Sequence, residues 1–177
     1  RLLLDRRAVR RVGLDRGEAM FTVHHDDSDP FEVTVGGERL VDVGTAFDVA
    51  RDAAETRVAV SEGAVDFNPG PGVVRLAAGQ GLVSTAGHVR MTRVEPADVG
   101  AWRAGRLVYD GVPLETVAAD LSRTLGMTIA VDPAIAQRAI RATLSTGGLA
   151  RDPAQLGPLL DVAMRRSGDR WVLSPLP

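Results

Sequence analysis

The polar and apolar positions of this chain follow two periods, one after the other. From residue 1 to residue 93 the repeating unit is a short alternating run closed by turn residues: "EAMFTVH", "FEVTVG", "RLVDVG", "AFDVAR", "TRVAVSEGAVDF", "GVVRLAAGQG" and "LVSTAGHVRM". Alternation puts every second side chain on one face of a strand, so such runs, separated by Gly, Asn, Asp and Pro, predict an all-β sandwich or coiled sheet. Its inward face reads as Phe21, Val23, Phe31, Val33, Val35, Val41, Val43, Phe47, Val49, Val58, Val60, Val65 and Phe67. Gly36-Gly37 and Gly63 are expected to supply the positive φ of tight hairpins, and Gly70 and Gly72 bracket Pro71 in a loop. "NPGPG" is too short and Pro-rich for a phosphate loop, and no helical pattern follows it.

After "VEPADVGAW" the period lengthens. "GRLVYDGV" reads as a strand, and "PLETVAADLSRTLG" then sets Leu114, Val117, Ala118, Leu121 and Leu125 at helical spacing. Pro113 suits a first helical turn, Glu115 complements the positive end of the helix dipole, and Gly126 is a C-terminal stop. "MTIAVD" returns to strand. A second round follows: "RAIRATLS" as strand, a helix within "DPAQLGPLLDVAMRRSG", and "RWVLSP" as the closing strand. Asp152 and Gln155 have capping-box spacing, and Leu156, Leu159, Leu160, Ala163 and Met164 make an apolar stripe. Pro158 conflicts with a helix interior, which moves the expected start to near Gly157. The expectation is an α+β chain of two domains: an all-β domain over 1–95, a linker over 96–105, and a small βαβ-βαβ domain over 106–177 with helices against one sheet.

Length permits this division, since 177 residues can bury one large core or two small ones. A formal net charge of −2 gives no electrostatic case for nucleic acid or an anionic membrane. Every basic residue is Arg, without clustering on one expected face. Cysteine is absent, which excludes disulfides, thiol catalysis and Cys-zinc sites. No apolar run approaches the ~18 residues of a membrane span, and no signal peptide opens the sequence. "RLLLDRRAVRRV" begins abruptly in strand pattern, so the chain is expected to be part of a longer protein.

Candidate chemistry is sparse. In "FTVHHDDSDPFEV", His24 and His25 stand beside three aspartates, the usual ligand types for a divalent metal. On a strand, adjacent side chains diverge, His88 is remote in sequence, and "DDSDP" has the composition of a turn between strands. A hairpin tip is therefore expected, with no metal. Glu18, Asp42, Glu62 and Asp66 sit at turns or outward strand positions with no nucleophile motif beside them, so neither a catalytic residue nor a cofactor is assigned.

The ordered words "RRVGLDRGEAMFTV", "PFEVTV", "VDVGTAFDV", "VAVSEGAVDF" and "VRLAAGQG" resemble the FecR-type anti-sigma regulators of bacterial cell-surface signalling. "WRAGRLVYDGVPLETVAADLSRTLGMTIAVD" is similar to the short secretin and TonB N-terminal (STN) domain that commonly ends such proteins. The resemblance implies the periplasmic sensor of a single-pass inner-membrane protein whose cytoplasmic domain, absent from this chain, holds an ECF sigma factor. The implied partner is the periplasmic signalling domain of a TonB-dependent outer-membrane receptor carrying a ferric siderophore or heme. Site-specific proteolysis of the regulator then frees the sigma factor. "HHDDSDP" falls where the family pattern places a turn. The rival readings are a structural or binding module of a secretion or glycan-uptake system without catalysis, and an enzyme or sugar-binding sandwich.

A sensor without chemistry works through a surface. One candidate is the helix over 114–125, with Leu114, Val117, Leu121 and Leu125 as anchors, although a stripe at this spacing also packs on its own sheet and leaves the flank with Arg123 as the contact. The other is an unpaired sheet edge supplied by "MTIAVD", with Ile129 and Val131, or by "RWVLSP", with Trp171. Trp102 and Trp171 suit core or linker packing, with interface use as the alternative.

Overall fold

The structure, a computed structural model, describes residues 2–4, 10–24, 26, 28–52, 55–68 and 70–177. It is a β-rich α+β fold in two compact units, Arg1–Gly100 and Ala101–Pro177.

Among its described residues the first unit contains eleven strands: β1 (Leu2–Leu4), β2 (Arg11–Leu14), β3 (Gly17–Thr22), β4 (Glu32–Val35), β5 (Glu38–Asp42), β6 (Ala46–Arg51), β7 (Glu55–Glu62), β8 (Ala64–Phe67), β9 (Val74–Ala77), β10 (Gln80–Thr85) and β11 (His88–Arg93). They form a six-stranded sheet, β1-β2-β4-β5-β8-β9, and a five-stranded sheet, β11-β10-β7-β6-β3. The facing sides bury Val33, Val35, Leu40, Val65, Phe67 and Leu76 from one sheet and Phe47, Val49, Val58, Val60 and Leu82 from the other in a single cluster. Phe21 stacks on Phe47 at 5.2 Å and tilts against Phe31 at 5.6 Å, closing one end. Each such side chain removed from water contributes about 1.5–3 kcal/mol, and this core is the main source of the unit's stability.

One strand runs in the opposite phase to the expected one. In β5 the inward residues are Leu40, fully buried, and Asp42, whereas Val41 is half-buried and Val43 is 37% exposed. The Gly36-Gly37 turn, with φ of 56° and 87°, pairs Val35 with Glu38 and Val33 with Leu40, so the buried face of β4 dictates that 38, 40 and 42 point inward. Asp42 tolerates burial because its Oδ2 accepts the Gly44 N–H at 3.0 Å.

The second unit contains β12 (Arg106–Pro113), α1 (Leu114–Leu125), β13 (Thr128–Val131), β14 (Ala139–Ser145), α2 (Thr146–Arg151), α3 (Leu156–Leu160), β15 (Ala163–Ser167) and β16 (Arg170–Ser174). Its strands do not make the expected single sheet. β12 and β14 form an antiparallel pair, while β13, β16 and β15 form a separate sheet in that order. α1 packs on β13 and also on β12 and β14, and α3 packs on β15 and β14, so the helices lie between the sheets. A layer of helix with apolar residues on more than one side needs a sheet on each.

The second helix starts at Leu156, beside the expected Gly157, but ends earlier than its stripe suggests. α3 is five residues; Pro158 is its third, within the first turn, where its missing N–H costs no helical bond. Asp161, at φ 54°, ends the helix, and Ala163 and Met164 therefore belong to β15. The Arg138 guanidinium donates to the carbonyls of Leu160 and Asp161, satisfying the helix end. Asp152 accepts from Ala154 N and from the Gln155 amide, each at 3.2 Å, and so caps the 3-10 turn Pro153–Gln155. Residues 96–104 are structured: the 3-10 turn Pro96–Asp98 packs on β7 within the first unit, and a second, Ala101–Ala104, packs on β12 within the second.

Candidate interaction surfaces

The helix α1 was one candidate surface, and most of its stripe is spoken for. Leu114, Val117 and Leu121 are fully buried in the core of their own unit, with Leu125 partly buried against it. Side chains without accessible surface cannot anchor a partner, so the exposed flank is what remains. Arg123 lies there, half-buried, with its guanidinium 3.0 Å from Asp120 Oδ1.

The edges sort more clearly. β16, which holds Trp171, is the central strand of its sheet, paired with β13 on one side and β15 on the other, so "RWVLSP" is not an open edge. β13 is an edge. Ile129 and Val131 face Trp171 and Leu173 across the ladder and turn toward the core, leaving Thr128 and Ala130 on the outer face. All four side chains of β13 are uncharged, and no described strand pairs with its second side, although the Ile129 N–H donates to Ser122 Oγ of α1 at 3.0 Å. Trp102 and Trp171 are both partly buried against the core of the second unit.

In the first unit β11 is an edge whose exposure the sequence reading did not single out. Of its six residues only Thr92 is half-buried; Val89 and Met91 are 42% and 45% exposed. The signal available was "HVRMTR", a strand-length run whose apolar residues alternate with basic ones, unlike the uncharged β10 beside it.

Past the histidines the Asp29 N–H donates to the Asp26 carbonyl at 3.2 Å, as in a turn. His24 is exposed, with its carbonyl accepting from Arg10 at 2.9 Å; His25 lies outside the described residues. Asp26 Oδ1 accepts the Ser28 hydroxyl at 2.6 Å and the Ser28 N–H at 3.0 Å, and these bonds hold its carboxyl below the ordinary range. Among the described residues no three His, Asp or Glu side chains are grouped to hold a metal ion. Of the acids considered above, Asp66 is tied to Arg75 by two bonds of 2.7 and 2.8 Å, which lower its pKa. No described helix is long and apolar enough to cross a membrane.

A profile of the family described as FecR protein matches residues 3–66. Two crystal structures of a candidate anti-sigma factor from Parabacteroides distasonis ATCC 8503 share the fold. The one at 2.50 Å resolution has a TM-score of 0.80 at 23% identity, covering 94% of this chain and 80% of that one. The one at 1.65 Å resolution has a TM-score of 0.82 at 24% identity, covering 95% of this chain and 81% of that one. No curated protein matches the chain. The matched segment runs through the Arg-rich start, the "GEAMFTV" and "VDVGTAFDV" strands and the "SEGAV" hairpin, and over these residues the chain is similar to the FecR family.

Proposed function

We propose that this chain is the periplasmic sensor region of a transmembrane anti-sigma regulator. In this reading the first unit is the FecR-type β domain and residues 106–177 are an STN-like domain. The sensor receives its signal from the periplasmic signalling domain of a TonB-dependent outer-membrane receptor loaded with a ferric siderophore or heme. A membrane helix and a cytoplasmic domain outside this chain would connect it to an ECF sigma factor, released by site-specific proteases. The supporting observation is that a β sandwich similar to FecR over residues 3–66 precedes an α/β unit whose three-stranded sheet ends on the uncharged strand β13, with no described strand on its second side and, among the described residues, only the Ile129 N–H taken, by Ser122 Oγ at 3.0 Å. Strand addition there needs only backbone groups and small pockets, so a receptor domain can dock without a catalytic or cofactor site.

The reading is tested in the native host with a reporter driven by the partner sigma factor. Inducing ligand should raise transcription through the unsubstituted regulator. Thr128→Lys with Ala130→Lys, which charges the outer face of β13 and spares Ile129 and Val131, should abolish that response while the regulator remains at normal abundance. Full induction by the doubly substituted regulator would rule out β13 as the receiving edge, and induction that persists when this whole region is deleted would rule out the sensor assignment.

A further inference from the structure

We infer that β11 is a second docking edge, built to take an extended segment in which apolar and acidic residues alternate. The inference concerns the first unit and is independent of the receptor contact placed on β13. Among the described residues β11 pairs with β10 alone, over six residues from Gln80↔Arg93 to Thr85↔His88, so its other side offers backbone donors and acceptors to an incoming strand. The hairpin carrying it is fixed by Ala86 and Gly87, both at positive φ (49° and 82°), as a two-residue turn requires.

The two faces of β11 specify what would lie beside it. Val89 and Met91 stand opposite Ser84 and Leu82, which are 2% and 1% exposed. They therefore lie on the core side of the sheet, yet are 42% and 45% exposed, because β11 extends the apolar face past the cover of the six-stranded sheet. On the opposite face are His88 and Arg90, and the strand closes with Arg93. Neither Arg90 nor Arg93 makes an ion pair among the described residues, and the chain as a whole is at −2, so this strand is locally basic within an acidic protein. Self-pairing of two copies along β11 would bring basic side chains of each copy together, which disfavours a dimer. An acidic strand with apolar residues on alternate positions would cover Val89 and Met91 on one face and meet Arg90 on the other.

The test is a fluorescence-anisotropy titration of the whole chain with a labelled decapeptide of alternating Val and Glu, beside Val–Gln and Val–Lys peptides of the same length. Saturable binding of the Val–Glu peptide, weaker for Val–Gln, absent for Val–Lys and diminished by salt, is the expected result. Arg90→Glu with Arg93→Glu should raise Kd by about tenfold and favour the Val–Lys peptide. Val89→Ser with Met91→Ser, which keeps the charges, should also weaken binding, and hydrogen exchange in β11 should slow when peptide is bound. Equal binding of all three peptides, no binding of any, or a concentration-dependent dimer dissociated by Arg90→Glu would each overturn the inference.

Discussion

Gly63→Ala isolates the steric clasp that carries the chain from one sheet of the sandwich to the other. Gly63 alone separates β7 from β8, at φ +71°, and a Cβ there would stand 1.9 Å from the Gly44 carbonyl oxygen and 2.9 Å from Thr45 Cγ2. Gly44 is held from both sides: its N–H donates to Asp42 and the preceding Val43 N–H donates to Ala64 O at 3.1 Å, while the following Thr45 carbonyl accepts the Val23 N–H at 2.8 Å. Swinging the oxygen aside would rotate the peptide between these anchored residues and disturb their bonds. A non-glycine residue at positive φ costs roughly 1–2 kcal/mol, and forcing a methyl into a packed site roughly 1–3 kcal/mol more. Gly72 separates the two terms, because its φ is +83° while nothing lies within 4 Å of an added Cβ. Gly72→Ala should therefore lose only the first amount. Against a typical total of about 5–15 kcal/mol, Gly63→Ala removes a large share of the unit's stability.

The assay needs a probe confined to the first unit. Both Trp residues and the Tyr lie in the second, so intrinsic fluorescence reports that one; hydrogen exchange of β6, β7 and β8 peptides in a urea series reports the sandwich. A loss of about 3 kcal/mol at a slope of about 1.5 kcal/mol/M lowers the urea midpoint by about 2 M. Midpoints for Gly63→Ala and Gly72→Ala that coincide within 0.3 M, on the order of 0.5 kcal/mol at that slope, would refute the steric account.

Ala86→Asn, placed before Gly87 in a turn where Ala86 holds φ 49°, should stabilise the first unit by about 0.5–1 kcal/mol, read by the same exchange series. Leu121→Ala should cost about 2–5 kcal/mol in the fluorescence-detected urea transition, whereas Leu159→Ala, at 54% exposure, should change it by no more than about 0.5 kcal/mol. The Asp66 carboxyl is held below its ordinary value of 3.8, first by the Arg75 hydrogen bond, so its contribution is present above that value and is lost as pH falls through the lower folded one. The stability difference between the unsubstituted chain and Asp66→Asn, no more than about 1 kcal/mol for so accessible a pair, should be constant from neutral pH to about pH 5 and shrink below pH 4.

Where the sequence was read correctly, alternation and burial agreed. Phe47, Val49, Val58, Val60, Val65 and Phe67 follow strict period two and are all in the sandwich core. β5 was misread because "RLVDVG" offers two apolar phases, and Val41 with Val43 outnumbers Leu40 alone. The deciding information lay outside the strand, in the two-residue Gly-Gly turn that couples its phase to Val33 and Val35. β15 was assigned to a helix because Leu156, Leu159, Leu160, Ala163 and Met164 suit a helical stripe, yet "AMRRSGDRWVLS" contains a hairpin signal, with Gly168 at φ 61° between two runs of strand length. α2 escaped notice because Gly147 and Gly148 oppose helix formation, and only Leu149, buried in the core, holds it there. The candidate surfaces were harder to read. Periodicity identifies a stripe without saying which side it packs on, so α1 and the edge strands were sorted only once pairing was known.

The central claim is met most directly by isothermal titration of this chain with the purified periplasmic signalling domain of a TonB-dependent receptor encoded beside its gene. The sensor assignment predicts saturable one-to-one binding that is lost with Thr128→Lys and Ala130→Lys and kept with Leu159→Ala. No heat and no complex in gel filtration, with every neighbouring receptor tried, would contradict it.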